Sequence, residues 1–269
     1  MTPTAVVTGG SRGIGQAVAS RLAREGFRVV IVARDSVRGE AARAALPGHA
    51  VLVTADLAET ASVRAAAGAL LEACPRIDVL VHNAGIWPAR REITGDGVER
   101  AFAVNHLAPF LLNHLLEERL RAGGARVVQV SAGLYVKGRS DPGRTVTGLD
   151  FHPVRTYADT KLCNLMLVPL FARRWQDAGV TIDAVHPGVI RTDLGARGGL
   201  LGLVLKAVKR TWGTPDDGAE PVVRLALDGS GGTGRYFEIG KETPLAPVAC
   251  DPEIAQALWR QAAALTGTA

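Results

Sequence analysis

The chain has 269 residues, 47% of them hydrophobic and 21% charged, with 31 Gly and 14 Pro. This composition excludes disorder, collagen-like repeats and low-complexity scaffolds, and the length is enough for one α/β domain with a sizeable core. The net charge of +5 comes from basic residues scattered along the chain, 26 Arg and 5 Lys, without the aromatic-interleaved clusters of a nucleic-acid face.

From the N-terminus, the β-branched run Thr4–Thr8 reads as a strand that ends in Gly9-Gly10-Ser11-Arg12-Gly13-Ile14-Gly15. A helical pattern with Ile14, Val18 and Leu22 on one face follows. Arg28–Ala33 is a continuous apolar strand, which implies burial on both sheet faces. Val51–Thr54, Val79–His82, Val127–Ser131 and Thr181–His186 repeat it, with helical stretches at about 36–46, 60–74, 97–121 and 155–178 between them. Asp228–Gly234 reads as a loop before a last short strand near Tyr236, and Pro252–Leu265 as a packing helix. Strand–helix alternation predicts a doubly wound parallel sheet with helices on both faces, and no linker, charge block or repeat divides the chain. Cys74, Cys163 and Cys250 lie far apart without ligand spacing, so reduced thiols are expected. No signal peptide precedes Thr4 and no apolar run reaches the ~18 residues of a membrane span, so a cytoplasmic protein is expected.

A strand that turns through glycine into a helix offers free backbone N–H groups at the positive end of the helix dipole, a ready phosphate site. The spacing Gly9-x3-Gly13-x-Gly15 departs from G-x-G-x-x-G, since position 18 is Val, yet the physical roles still map. Gly9 suits the tight turn, Gly13 the close approach of a pyrophosphate, and Gly15 helix-on-strand packing. At the end of the second strand, Arg34 can clasp a 2′-phosphate, with Arg12 adding charge beside it, while Asp35 can still reach a ribose. NADP(H) is favoured over NAD(H). Tyr157 and Lys161 stand four apart on one face of a helix. A nearby ammonium and a positive nicotinamide ring favour phenolate, bringing a phenol toward working pH. The pair follows the fifth strand, whose carboxyl end carries Ser131, where ligands of such sheets bind.

These residues, with Asp56-Leu57, Asn83-Ala84-Gly85, Asn105 and His186-Pro187-Gly188, resemble the short-chain dehydrogenase/reductase family over essentially the whole chain. Ala33-Arg34-Asp35, Val104–Leu107, Lys161–Asn164, His186–Leu194 and Thr233–Phe237 are most similar to its retinol-dehydrogenase-like and WW-domain-oxidoreductase-like branch. The resemblance implies a single Rossmann-type domain over residues 1–269, with 192–212 as a substrate lid. It implies Tyr157 as general acid or base, and Lys161 on the nicotinamide ribose lowering the tyrosine pKa. Ser131 would bond the substrate oxygen, and Asn105 would anchor a water leading to Lys161. It implies coenzyme contacts from Gly9, Ser11, Arg12, Gly13, Ile14, Gly15 and Arg34 in the first two strand ends. Asp56, Leu57, Asn83, Ala84 and Gly85 would follow, then Pro187, Gly188, Ile190 and Thr192. Asp56 would bond the adenine amino group, Asn83 would brace the strand-end loop, and Thr192 would meet the carboxamide or pyrophosphate. Family members often pair through the helices at 97–121 and 155–178, so a homodimer or tetramer is conceivable on this reading.

Ser131 and Tyr157 lie 26 apart, about twice the spacing of many members, which makes Val136–His152 an insertion beside the substrate site. His106, His114, His152 and His186 lack metal-ligand spacing, so no metal is expected. Leu200, Leu201, Leu203, Val204, Leu205 and Val208 make the expected lid apolar, with a membrane-surface helix as the competing reading. The expected activity is NADPH-dependent interconversion of a bulky apolar ketone or aldehyde and its alcohol. Epimerisation or dehydration at the same site, or a catalytically silent NADP sensor, remain as alternatives.

Overall fold

The computed structural model describes residues 2–139, 141–190 and 213–268. The lid expected at 192–212 and its Thr192 lie outside the described residues.

Seven parallel strands, β1 (Thr4–Thr8), β2 (Arg28–Ala33), β3 (Val51–Thr54), β4 (Val79–His82), β5 (Arg126–Val130), β6 (Thr181–His186) and β7 (Tyr236–Glu238), form one sheet. Their order is β3-β2-β1-β4-β5-β6-β7, and a two-residue antiparallel strand β8 (Lys241–Glu242) ends it. Alternate residues feed opposite cores. Ala5, Val7, Val29 and Ile31 pack with Val18 and Leu22 of α1 (Gly13–Arg24), Ala42 of α2 (Ser36–Ala44) and Val222 of a helix over Pro215–Ala226. Val6, Val30 and Val32 face the other core, with Leu70 of α3 (Thr60–Ala73) and helices of the chain's second half. The chain reverses direction across the sheet between β1 and β4, and this switch opens a crevice at the strands' carboxyl ends.

The single helix expected at 97–121 is broken into pieces. α4 (Arg100–Phe102) runs into a π-helical turn (Ala103–Leu107), then α5 (Ala108–Leu115) and α6 (Glu117–Gly123). Pro109 has no N–H, so the Asn105 carbonyl four residues earlier loses its α-helical partner. Ala108 N–H instead bonds back to Ala103 O, five residues away. The insertion Val136–His152 carries α7 (Pro142–Thr145) and leads into α8 (Pro153–Arg174), the helix of Tyr157 and Lys161. Among the described residues the α-helices that follow are α9 (Pro215–Ala226) and α10 (Pro252–Thr266). Trp259 of α10 packs edge-on to Phe110 of α5 at 5.1 Å and tilts against Phe171 of α8 at 4.6 Å. The C-terminal helix thus covers the Phe110 and Phe171 side chains of α5 and α8.

Candidate active site

The crevice widens into a cavity of about 410 Å³ that runs from the end of β2 to the start of α8. One end is formed by the glycine turn after β1. Gly9 and Gly13 have φ of +66° and +55°, a region that L side chains rarely enter. A Cβ on Gly15 would lie 2.3 Å from both Gly9 O and Asn83 Nδ2, so the role of Gly15 is close approach to this turn. Asn83 Nδ2 donates to Thr8 O at 2.9 Å and Gly9 O at 3.3 Å, while Thr8 Oγ1 accepts from Asn83 N and Ala84 N at 3.1 Å each. Asn83 therefore braces the loop, as its side chain was expected to. The N-terminus of α1 receives no side-chain capping bond from Arg12 and has no acidic residue in its first turn, and its positive end faces the cavity.

Ser11, Arg12, Gly13, Ile14 and Arg34 line this end, joined by Asp56 and Leu57 after β3 and by Ala84 and Gly85 after β4. Asp35, the alternative ribose ligand, is occupied: it caps α2 by accepting Arg38 N–H at 3.0 Å, and Arg38 lies 3.9 Å from its other oxygen. This capping bond holds the Asp35 carboxyl below its usual range. Arg38, in the first turn of α2 and four residues beyond Arg34, also lines the cavity. The Asp56 carboxylate already accepts from Ala58 N at 3.0 Å and from Arg100 Nη2 at 3.2 Å.

At the other end lie Ser131, Tyr157 and Lys161. Ser131 follows β5, and its Oγ is buried without a partner among the described residues. Tyr157 is 4% exposed and its ring lies parallel to the Trp87 indole, 4.7 Å between centroids and 8° between planes. Lys161 Nζ donates to Val130 O at 3.0 Å and sits 5.8 Å from the centre of the tyrosine ring. Burial pushes the lysine pKa down to about 8 and the tyrosine pKa up. Among the described residues neither group has an opposite charge beside it, so burial favours the neutral form of each.

Asn105 stands behind the cavity wall. Its Nδ2 donates to Ile86 O and Thr160 Oγ1, both at 3.0 Å, and its Oδ1 accepts Ile86 N at 2.8 Å. Pro187, Gly188 and Ile190 line the cavity after β6, together with His186, whose pKa burial lowers. The sequence reading missed Trp87 and His186 as site residues. Trp87 carried a positional signal, two residues beyond Asn83-Ala84-Gly85 at the carboxyl end of β4. No group of three or more potential metal ligands occurs among the described residues.

The sequence profile of the short chain dehydrogenase family matches residues 3–198. The protein is a short-chain dehydrogenase/reductase. As such it is an oxidoreductase of CH–OH and C=O groups with a nicotinamide coenzyme. It is 34% identical to human retinol dehydrogenase 13, over 98% of this chain and 84% of that protein. To the bovine dehydrogenase/reductase SDR family member 13 it is 38% identical, over 98% and 73% respectively. The fold superposes on a Burkholderia cenocepacia short chain dehydrogenase solved in complex with NADP, with a TM-score of 0.71 at 29% identity, covering 89% of this chain and 97% of that one. An uncharacterised protein of Mycobacterium paratuberculosis matches with a TM-score of 0.79 at 28% identity, covering 99% and 96%. The described residues bring the glycine turn after β1, Arg34 and the Ser131, Tyr157 and Lys161 side chains to one cavity. No helix among them is long and apolar enough to cross a membrane.

Proposed function

We propose that the protein is an NADP(H)-dependent reductase/dehydrogenase of a hydrophobic ketone or aldehyde and the corresponding alcohol. The observation that carries this reading is one cavity with Arg34 and Arg38 at one end and Ser131, Tyr157 and Lys161 at the other. The residues suit a dinucleotide: glycine backbone where a Cβ would clash, a helix N-terminus without a side-chain cap or first-turn acid for phosphate, and two guanidinium groups beside a carboxylate that caps α2.

The bound nicotinamide supplies the hydride in reduction and accepts it in oxidation. Tyr157 gives its phenolic proton to the carbonyl oxygen in reduction and takes the alcohol proton in oxidation. The unpartnered Ser131 hydroxyl donates to the same oxygen and orients it. Lys161 holds its charge beside the tyrosine and the coenzyme ribose. Apolar Ile86, Val104 and Ile190 along the wall, with Trp87 against Tyr157, support a hydrophobic substrate. The free cysteines, Cys74 and Cys163 buried and Cys250 exposed, support a reducing compartment such as the cytoplasm.

The test is turnover of a ketone and aldehyde panel with NADPH and with NADH. Preference for NADPH is expected, and Arg34→Asp should reverse that preference by about tenfold or more, the worth of one charge-assisted pair. Coenzyme binding without oxidation across the panel would favour a sensor, and product formed with coenzyme unchanged would favour epimerisation or dehydration.

A further inference from the structure

Asn164 lies on α8 three residues beyond Lys161 and seven beyond Tyr157, on the same helical face, and is 5% exposed. Its Nδ2 donates to the Asn105 carbonyl at 2.5 Å, and its Oδ1 lies 3.0 Å from His106 Nδ1. The orientation of the amide is dictated by its partners. Reversed, its oxygen would face the Asn105 oxygen. His106 Nδ1 therefore carries the proton and donates to Asn164. Burial keeps this ring neutral, with its pKa lowered to about 4.

The carbonyl that Asn164 takes is the one that Pro109 leaves without a helical donor. The same turn turns the Asn105 carboxamide toward Ile86 and Thr160, and Thr160 Oγ1 donates in turn to Tyr157 O at 2.8 Å. A Cβ on Gly85 would lie 3.5 Å from both Asn105 Oδ1 and Lys161 Nζ, which places both side-chain tips beside one glycine. A carbonyl oxygen has two acceptor directions. Asn164 occupies one of them.

Resting on the oxidoreductase reading above, we propose that Asn164 is a positioning residue, which ties the π-helical turn to α8 so that Asn105 keeps its register with Tyr157 and Lys161. Its amide does not touch the reacting atoms. It acts through Asn105.

The test compares wild type, Asn164→Ala, Asn164→Asp, Asn105→Ala and the Asn105→Ala/Asn164→Ala double variant. Asn164→Asp at pH 8 keeps the shape and removes the donor. Hydrogen exchange of the coenzyme-free protein should quicken across residues 103–110 in both Asn164 variants. Their kcat should fall at least tenfold while the Kd for NADPH stays within twofold of wild type. The double variant should be little slower than the worse single one, since both changes disable the same unit. Unaltered exchange, kcat within twofold of wild type, or losses that multiply in the double variant would each overturn the proposal. Two variants that fail to fold would assign Asn164 to stability alone and overturn it as well. A wild-type protein that turns over no carbonyl or alcohol with either coenzyme sinks the oxidoreductase reading instead, and the exchange comparison still decides whether Asn164 holds the turn.

Discussion

Around β1, β2 and β4 the cavity wall combines the Arg34 and Arg38 side chains with main chain: glycines at positive φ, a helix end, and a carboxamide that braces the turn from behind. Around β5 and α8 the wall is made of buried side chains, namely an unpartnered hydroxyl, a phenol under an indole, and an amine bonded to a single carbonyl. On the proposed reading the glycine turn of the first wall binds by shape and backbone polarity, so it should fail when a side chain is added there. The second would work by holding ionisable groups where water cannot stabilise their charges, so it should fail when a functional atom is removed. Binding and chemistry should therefore be separable by mutation.

The largest expected effect is in the second wall. Tyr157→Phe should lower kcat by about 10³-fold, within the range of general acid–base catalysis, and leave coenzyme affinity nearly unchanged. Steady-state kinetics beside a coenzyme titration check it, and full activity would break the division between the walls. Lys161→Met is next. The folded pKa of about 8 lies below the ordinary 10.5, so the unfolded chain binds the proton more readily and the buried amine costs stability at neutral pH. Relief of this cost, about 3 kcal/mol, less about 1 kcal/mol for the lost bond to Val130 O, should make the inactive variant more stable at pH 7. That advantage should shrink between pH 8 and 10.5 as the lysine deprotonates, and denaturant melts across that range read it.

In the first wall, Gly15→Ala should weaken coenzyme binding and cost about 1–3 kcal/mol, because its methyl group meets backbone and a braced amide. A loss of kcat with normal affinity would contradict the comparison. The smallest effect lies outside both walls. Ile239, β-branched at φ +48° and 67% exposed, sits beside Gly240 in the two-residue turn between β7 and β8. Positive φ at both positions favours Asn-Gly, so Ile239→Asn should stabilise by about 1 kcal/mol without altering turnover. A urea titration and a rate assay make it a control.

The same contrast explains what could be read from the sequence. The parallel strands are legible because Arg28–Ala33 and its counterparts are continuous apolar runs, and most predicted bounds lie within a few residues of the observed ones. The glycine turn is legible because positive φ and close approach leave few residue choices. The break in the helix expected at 97–121 is not legible from periodicity, since Ala103–Leu107 are all buried and the change of winding follows from Pro109 and a carbonyl partner distant in sequence. Trp87 and Asn164 escaped as site residues for a related reason. Their significance lies in contacts with Tyr157 and Asn105, tens of residues away. β8 is too short for any alternating pattern to show.

The C-terminal helix closes over Phe110, His114 and Phe171 with a single tryptophan at the centre of the ring contacts. A chain cut after Cys250 would turn that aromatic seam into wet, sticky surface at the back of the catalytic helix. Such a truncation should clump or pair with its own kind, and proteolysis near Pro252 would change colloidal behaviour before it reached the chemistry.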